Sequence, residues 1–330
     1  MGILSFATSS IRNGQPKYVD MSPISNRVAA EVDFLVIAGG GSGGVRAPGN
    51  RTASGGGAGG YRTSAGTSGG GASAESKIQV TRGQVNQITV GAGGAGVFIN
   101  QALGGAAQGN KGNNSIFMSI TCEGGGHGQG DGVGTGSDGG SGGGGATAGS
   151  GGLTPGTGTA GQGYEGGESF GGSATTTDVA SGGGGGAGQS GGDATLGVPG
   201  NGGNGVASSI TGSSVTRAGG GGGTRGGSSI GTSSGGTGGG SGGVWSNVSG
   251  AHTSSNGTVN TGSGTGGVKS NVSTSSAQSG NGGSGVVIFA IPTSFTATFS
   301  GGVTQTSAIV GSNRVYTVTA AGPTDTVTIV

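Results

Sequence analysis

Val32-Asp33-Phe34-Leu35-Val36-Ile37-Ala38 runs straight into Gly39-Gly40-Gly41-Ser42-Gly43-Gly44. The first part is a largely apolar β run, and the glycines end it abruptly. The same strand-into-glycine unit recurs. Asn86-Gln87-Ile88-Thr89-Val90 precedes Gly91-Ala92-Gly93-Gly94, Ile116 to Thr121 precedes Glu123-Gly124-Gly125-Gly126, and Ser214-Val215-Thr216-Arg217 precedes Gly219 to Gly223. Near the far end of the chain, Gly285-Val286-Val287-Ile288-Phe289-Ala290-Ile291 mirrors the first run in apolar character. These two runs are expected to share a sheet and to close a glycine body at its base.

The body between them has an unusual composition. The chain has 330 residues, of which 94 are Gly, with aromatics at 4% and charged residues at 8%. Glycine buries no side chain and loses more backbone entropy on folding than any other residue, so side-chain packing cannot be what orders it. Disorder normally accompanies high net charge and few β-branched residues. Here the net charge is +1 and Val, Ile and Thr cluster between the glycines, which favours order. An unbroken Gly-X-Y register is absent, which excludes collagen. Gly-Gly-Gly and Gly-Gly-X blocks suit polyglycine II, an extended helix with three residues per turn that packs side by side and shares backbone hydrogen bonds with its neighbours.

The predicted fold is therefore mainly β with polyglycine II helices, a glycine-rich layered body framed by short strands, with essentially no α-helix. Three segments are expected. Residues 1–31 form an attachment arm interrupted by Pro16 and Pro23, residues 32–291 the glycine-rich domain, and residues 292–330 a small β module. That module carries Phe295 to Phe299, Arg314 to Thr319 and Thr326 to Val330 as strands, with turns at Gly301-Gly302, Gly311-Ser312-Asn313 and Gly322-Pro323. The tract 124–285 holds few large side chains, and these are expected to anchor turns between glycine helices.

Catalytic motifs fail on context. Gly39-x-Gly41-x-x-Gly44 follows a strand as a dinucleotide fingerprint would, but Val45-Arg46-Ala47-Pro48-Gly49-Asn50 cannot begin the helix whose N-terminus would hold a pyrophosphate. Lys111 lacks phosphate-loop spacing, and His127 and His252 stand in no metal-ligand spacing with Cys122, Glu123 or Asp131. Glu165 and Glu168 read as solvated turn residues rather than a hydrolytic pair, because so few bulky residues leave little to wall off a pocket. A single cysteine, Cys122, excludes an intrachain disulfide and reads as a buried inert thiol. The expectation is no enzyme, no cofactor and no metal. Scattered charges argue against nucleic acid, no segment approaches the length of an apolar membrane helix, and no signal peptide is expected at the N-terminus. Tyr61, Tyr164, Phe170, Trp245 and His252 stand in or beside glycine loops, where an exposed ring suits a sugar or protein face.

Phe34 to Gly41, Gly55-Gly56-Gly57-Ala58-Gly59-Gly60-Tyr61-Arg62, Ile88 to Gly94 and Gly285 to Ile288 resemble glycine-rich domains of tailed-bacteriophage fibres and adhesins. The resemblance covers roughly residues 32–291. It implies a sandwich of polyglycine II helices with variable loops at its distal end, and host-receptor binding by those loops. It also implies a virion protein made in the host cytoplasm. The expected partners are a host cell-surface protein or glycan, other virion proteins through residues 1–31, and further copies of the chain. The competing expectation is a purely structural filament or appendage subunit. The Ser/Thr-rich tract at 206–280 and the C-terminal β module depart from the compact adhesin pattern.

Overall fold

The computed structural model describes residues 29–49, 51–100, 105–130, 136–148, 151–171, 178–227 and 232–330. The predicted attachment arm lies outside the described residues except for its last three, which already belong to the strand Ala29–Ile37. Among the described residues the fold is mainly β, and its helical content is a short 3-10 turn at Gly69–Gly71.

Ala29–Ile37 is the axis of the base. It pairs antiparallel with Val286–Pro292, from Asp33 opposite Ala290 to Ile37 opposite Val286, as the matching apolar runs predict. Tyr61–Thr63 and Ile78–Thr81 line its other edge. Both faces are covered. Val32, Phe34 and Val36 enter one apolar cluster with Val287, Phe289 and Ile291, while Leu35 and Ile37 enter a second with Val286, Ile288 and Tyr61. Burial on both faces explains why these strands read as continuous apolar runs rather than alternating ones. Phe289 stacks between Phe117 and Tyr316, with ring centroids 4.9 and 5.0 Å away.

The three expected C-terminal strands appear, at Ala297–Phe299, Asn313–Ala320 and Thr326–Ile329, together with Thr304–Val310, which was not expected. Asn313–Ala320 pairs with Val286–Pro292 and carries Thr304–Val310 on its outer side; Thr326–Ile329 joins Ala297–Phe299 to Val85–Thr89. One expectation is corrected. Ile116 to Thr121 is two strands, Ser115–Phe117 and Ile120–Cys122, because Met118 turns the chain with φ of 55°.

Beyond the base, Gly39 to Gly44 shows how the glycine body is held. The N–H groups of Gly39 and Ser42 donate to Asn113 and Asn110; those of Gly41 and Gly44 donate to Gly57 and Ser54. Gly40 donates to Gly283, and Gly43 reaches the same run through the Thr265 hydroxyl, which donates to Gly280. On the acceptor side, Gly39 and Ser42 receive Gly125 and Gly128, Gly41 and Gly44 receive Thr265 and Val268, and Gly40 receives Gly94. Residues three apart thus address the same neighbour, and successive residues address different ones. That is the symmetry of a helix with three residues per turn surrounded on all sides, as polyglycine II requires.

The register fixes direction. Runs 124–130 and 262–268 lie parallel to 39–44, whereas 53–60, 110–113 and 280–284 lie antiparallel. Further out, Gly144 donates to Gly55 and Ser141 to Ala58, Gly182 to Gly145 and Gly185 to Gly142, and Gly184 to Gly221. The chain therefore shuttles between the strand base and an opposite end, and its backbone groups are satisfied by neighbours rather than by long-range side-chain packing.

Candidate functional site

The site follows from where the outgoing runs stop. Val45–Ala47, Val244–Ser246 and Val268–Ser270 lie side by side and parallel, all heading away from the base, and Gly105–Ala107 returns beside the first of them. A second small sheet is stacked on this one: Ala251–Thr253 and Ser276–Gln278 return parallel to each other, and Phe98–Asn100 heads outward beside them. Val45, Val268 and Ala277 are buried between the layers, with Val97, Ile99 and Val244 packed against them. The connections 247–250 and 271–275 consequently turn at the same end. The described runs flanking 131–135, 149–150, 172–177 and 228–231 stop there too.

Two of these turns are laced together. Ser249 Oγ and Thr274 Oγ1 share a hydrogen bond of 2.8 Å, Gly250 N donates to Ser275 Oγ, and Ser275 Oγ donates to the Val248 carbonyl. His252 Nε2 lies 2.9 Å from the same Val248 carbonyl oxygen. Val248 itself is 64% exposed at the turn, and Phe98 is 59% exposed on the flank.

On the outer face of the first sheet, Trp245, Lys269 and Arg46 are successive cross-strand partners, so their side chains leave the sheet on one side. Lys269 is fully buried, and its Nζ donates to the Ser270 carbonyl at 3.0 Å and to Asn271 Oδ1 at 2.6 Å. Burial, reinforced by the neighbouring Arg46 cation, lowers its pKa from 10.5 to about 7. The Trp245 indole N–H is buried without a hydrogen-bond partner among the described residues.

The five aromatic and histidine candidates do not form one site. Trp245 and His252 belong to the loop-bearing end, though on strands rather than in loops, and both are half-buried. Phe170 lies toward the same end, bridged to Ala180 by reciprocal backbone bonds. Tyr164 begins an outgoing run near the base, where its hydroxyl stands 2.8 Å from the place a Cβ on Gly71 would occupy. Tyr61 is corrected outright: it is 1% exposed in the base, and desolvation pushes its hydroxyl pKa up to about 12. Its ring fills the core beside Leu35 and Ile37, which a three-residue strand following a glycine block gave no period to show. Val248 and Phe98 were missed: Val248 is a single apolar residue in a polar stretch, and Phe98 sits in the short run Val97-Phe98-Ile99, too brief to show which of its side chains faces out.

No group of three or more His, Cys, Asp or Glu side chains converges as a metal site among the described residues. No described helix is long and apolar enough to cross a membrane. A family model described as a glycine-rich domain matches residues 22–292. No curated protein matches the chain.

Proposed function

We propose that this chain, which belongs to the glycine-rich domain family, is a virion fibre or adhesin component that binds a host cell surface through the loop-bearing end of its glycine body. The observation that carries the reading is the convergence of the outgoing runs. Two hydrogen-bonded turns join Val248 and His252 at the end farthest from the strand base, with Trp245 on the face of one small sheet and Phe98 on the opposite face of the other. A scaffold locked by backbone hydrogen bonds loses little further entropy on docking, so modest contacts suffice, and several copies multiply them.

A second reading, a self-assembling structural subunit, draws on a different observation. Thr304–Val310 is an edge strand, exposed along nearly its whole length and without a charged residue or proline to discourage pairing.

Adsorption separates the two. The purified chain is expected to bind host bacteria and to compete with virus adsorption, and the double variant Phe98→Asp with Val248→Asp should weaken that binding at least tenfold without lowering the melting temperature. Filaments formed by the protein alone, with no cell binding, would overturn the proposal in favour of the structural reading.

A further inference from the structure

On one flank of the glycine body, a groove of about 480 Å³ runs over residues 200–204, between walls formed by 189–193 and 234–235. Its floor is a glycine run with the same three-residue register as the interior runs. Gly200 and Gly203 donate to Ser181 and Gly184; Gly202 and Gly205 donate to Ser234 and Thr237. Asn201 and Asn204 receive Gly192 and Gly188, and Gly200 and Gly203 receive Gly223 and Gly220. The pattern then breaks off. Among the described residues, the N–H groups of Asn201 and Asn204 and the carbonyl of Gly202 have no partner, and by the period of three they face the two sides on which no neighbouring run lies.

The edges of the body elsewhere are closed by side chains. Asn281 Oδ1 accepts Gly96 N, Asn114 Oδ1 accepts Gly124 N, Asp138 Oδ1 accepts Thr157 N and Asp193 Oδ1 accepts Glu168 N. Asn201 and Asn204 serve the neighbouring run in this way, accepting Ser234 N and Thr237 N, and Asn204 Nδ2 donates to Gln189 Oε1 on the groove wall, while the backbone N–H groups of both stay open to the groove. Two amide donors three residues apart are the recognition pattern of a strand whose carbonyls also recur every third residue.

We propose that this groove is a docking seat for an extended glycine-rich segment of a partner polypeptide, bound in the three-residue-per-turn conformation as one more run of the body. Its carbonyls accept the Asn201 and Asn204 amides. Glycine is required wherever the segment faces the floor, because interior runs approach so closely that a Cβ on Gly203 would lie 2.1 Å from the Gln189 carbonyl oxygen. Asp193 is the one charged side chain lining the groove, so the fitting partner is neutral or weakly basic. The seat is independent of the host-contact reading.

The test uses the full-length protein, 15N-labelled, and a synthetic nonapeptide with the repeat Gly-Asn-Gly found at residues 200–205. Saturable shifts of the Asn201 and Asn204 amides are expected, with at least threefold slower hydrogen exchange there. An analogue with alanine at every glycine should bind at least tenfold more weakly, and Ser190→Trp in the groove wall should abolish the shifts while the remaining spectrum is unchanged. No shift at millimolar peptide, equal binding of the alanine analogue, or shifts produced only by a neutral oligosaccharide would overturn the proposal.

Discussion

Gly41 and Gly126 lie on adjacent parallel runs so close together that a Cβ on Gly41 would stand 2.2 Å from the Gly126 carbonyl oxygen. No real side chain tolerates that separation, and the obstacle is backbone that cannot swing aside. Gly41→Ala is therefore expected to destabilise the protein by about 3 kcal/mol or more, as severe overpacking does. Gly301, with nothing within 4 Å of its built Cβ, is the control. Gly301→Ala should stay within about 0.5 kcal/mol. Thermal melts of the two variants check this, and equal melting temperatures would show that the runs are not in contact.

Ser54 ties three runs together through one hydroxyl. Its Oγ accepts Gln129 N at 2.8 Å and donates to the Gly144 carbonyl at 2.6 Å, and all of these groups are buried. Ser54→Ala strands a buried amide without an acceptor, a loss of about 1–3 kcal/mol. Ser54→Thr keeps the hydroxyl and should recover part of the loss if the added methyl fits. Chemical denaturation of the three proteins measures the difference.

Lys269 makes the stability of the loop-bearing end depend on pH. Folding lowers its pKa from 10.5 to about 7. Between those values the unfolded chain holds a proton that the folded chain has released, so stability rises with pH across this window and falls as pH drops through it. Below about pH 7 the penalty is complete and flat. The slope approaches about 1.4 kcal/mol per pH unit. Lys269→Met should remove this rise while stabilising the protein at neutral pH. Parallel stability curves for the two proteins would mean that the ammonium stays charged when folded.

Cys122 is fully buried and its Sγ donates to the Val36 carbonyl at 3.1 Å. Burial raises its pKa, so the thiolate is scarce in the folded state. A thiol reagent should leave the native protein unmodified and label it once denatured, which makes the labelling rate a report on opening of the base. Fast labelling under native conditions would contradict the packing around Val36.

The base of the fold was legible in the sequence because its strands carry apolar runs long enough to be read, as the pairing of Phe34 with Phe289 shows. The glycine runs were legible as a class but not in their neighbours. Gly39, Gly40 and Gly41 are identical letters, yet each donates to a different run, and that assignment depends on register alone. Short strands such as Val45–Ala47 and Ala251–Thr253 were invisible for the same reason: three residues in a polar context carry no period. Trp245 and His252 were picked out by size alone and lie at the loop-bearing end, whereas Tyr61 was misplaced because the same size also suits a core.

The most direct test of the account is amide hydrogen exchange of the intact protein, read at the glycine runs 39–44, 54–60 and 124–130. The backbone lattice predicts that Gly41, Gly57 and Gly126, which donate to Gly57, Gly126 and Ser141 in turn, exchange as slowly as the base strand amides of Val36 and Ile288. Exchange of those glycines within seconds, alongside protected base strands, would contradict it and leave the loop-bearing end without a scaffold.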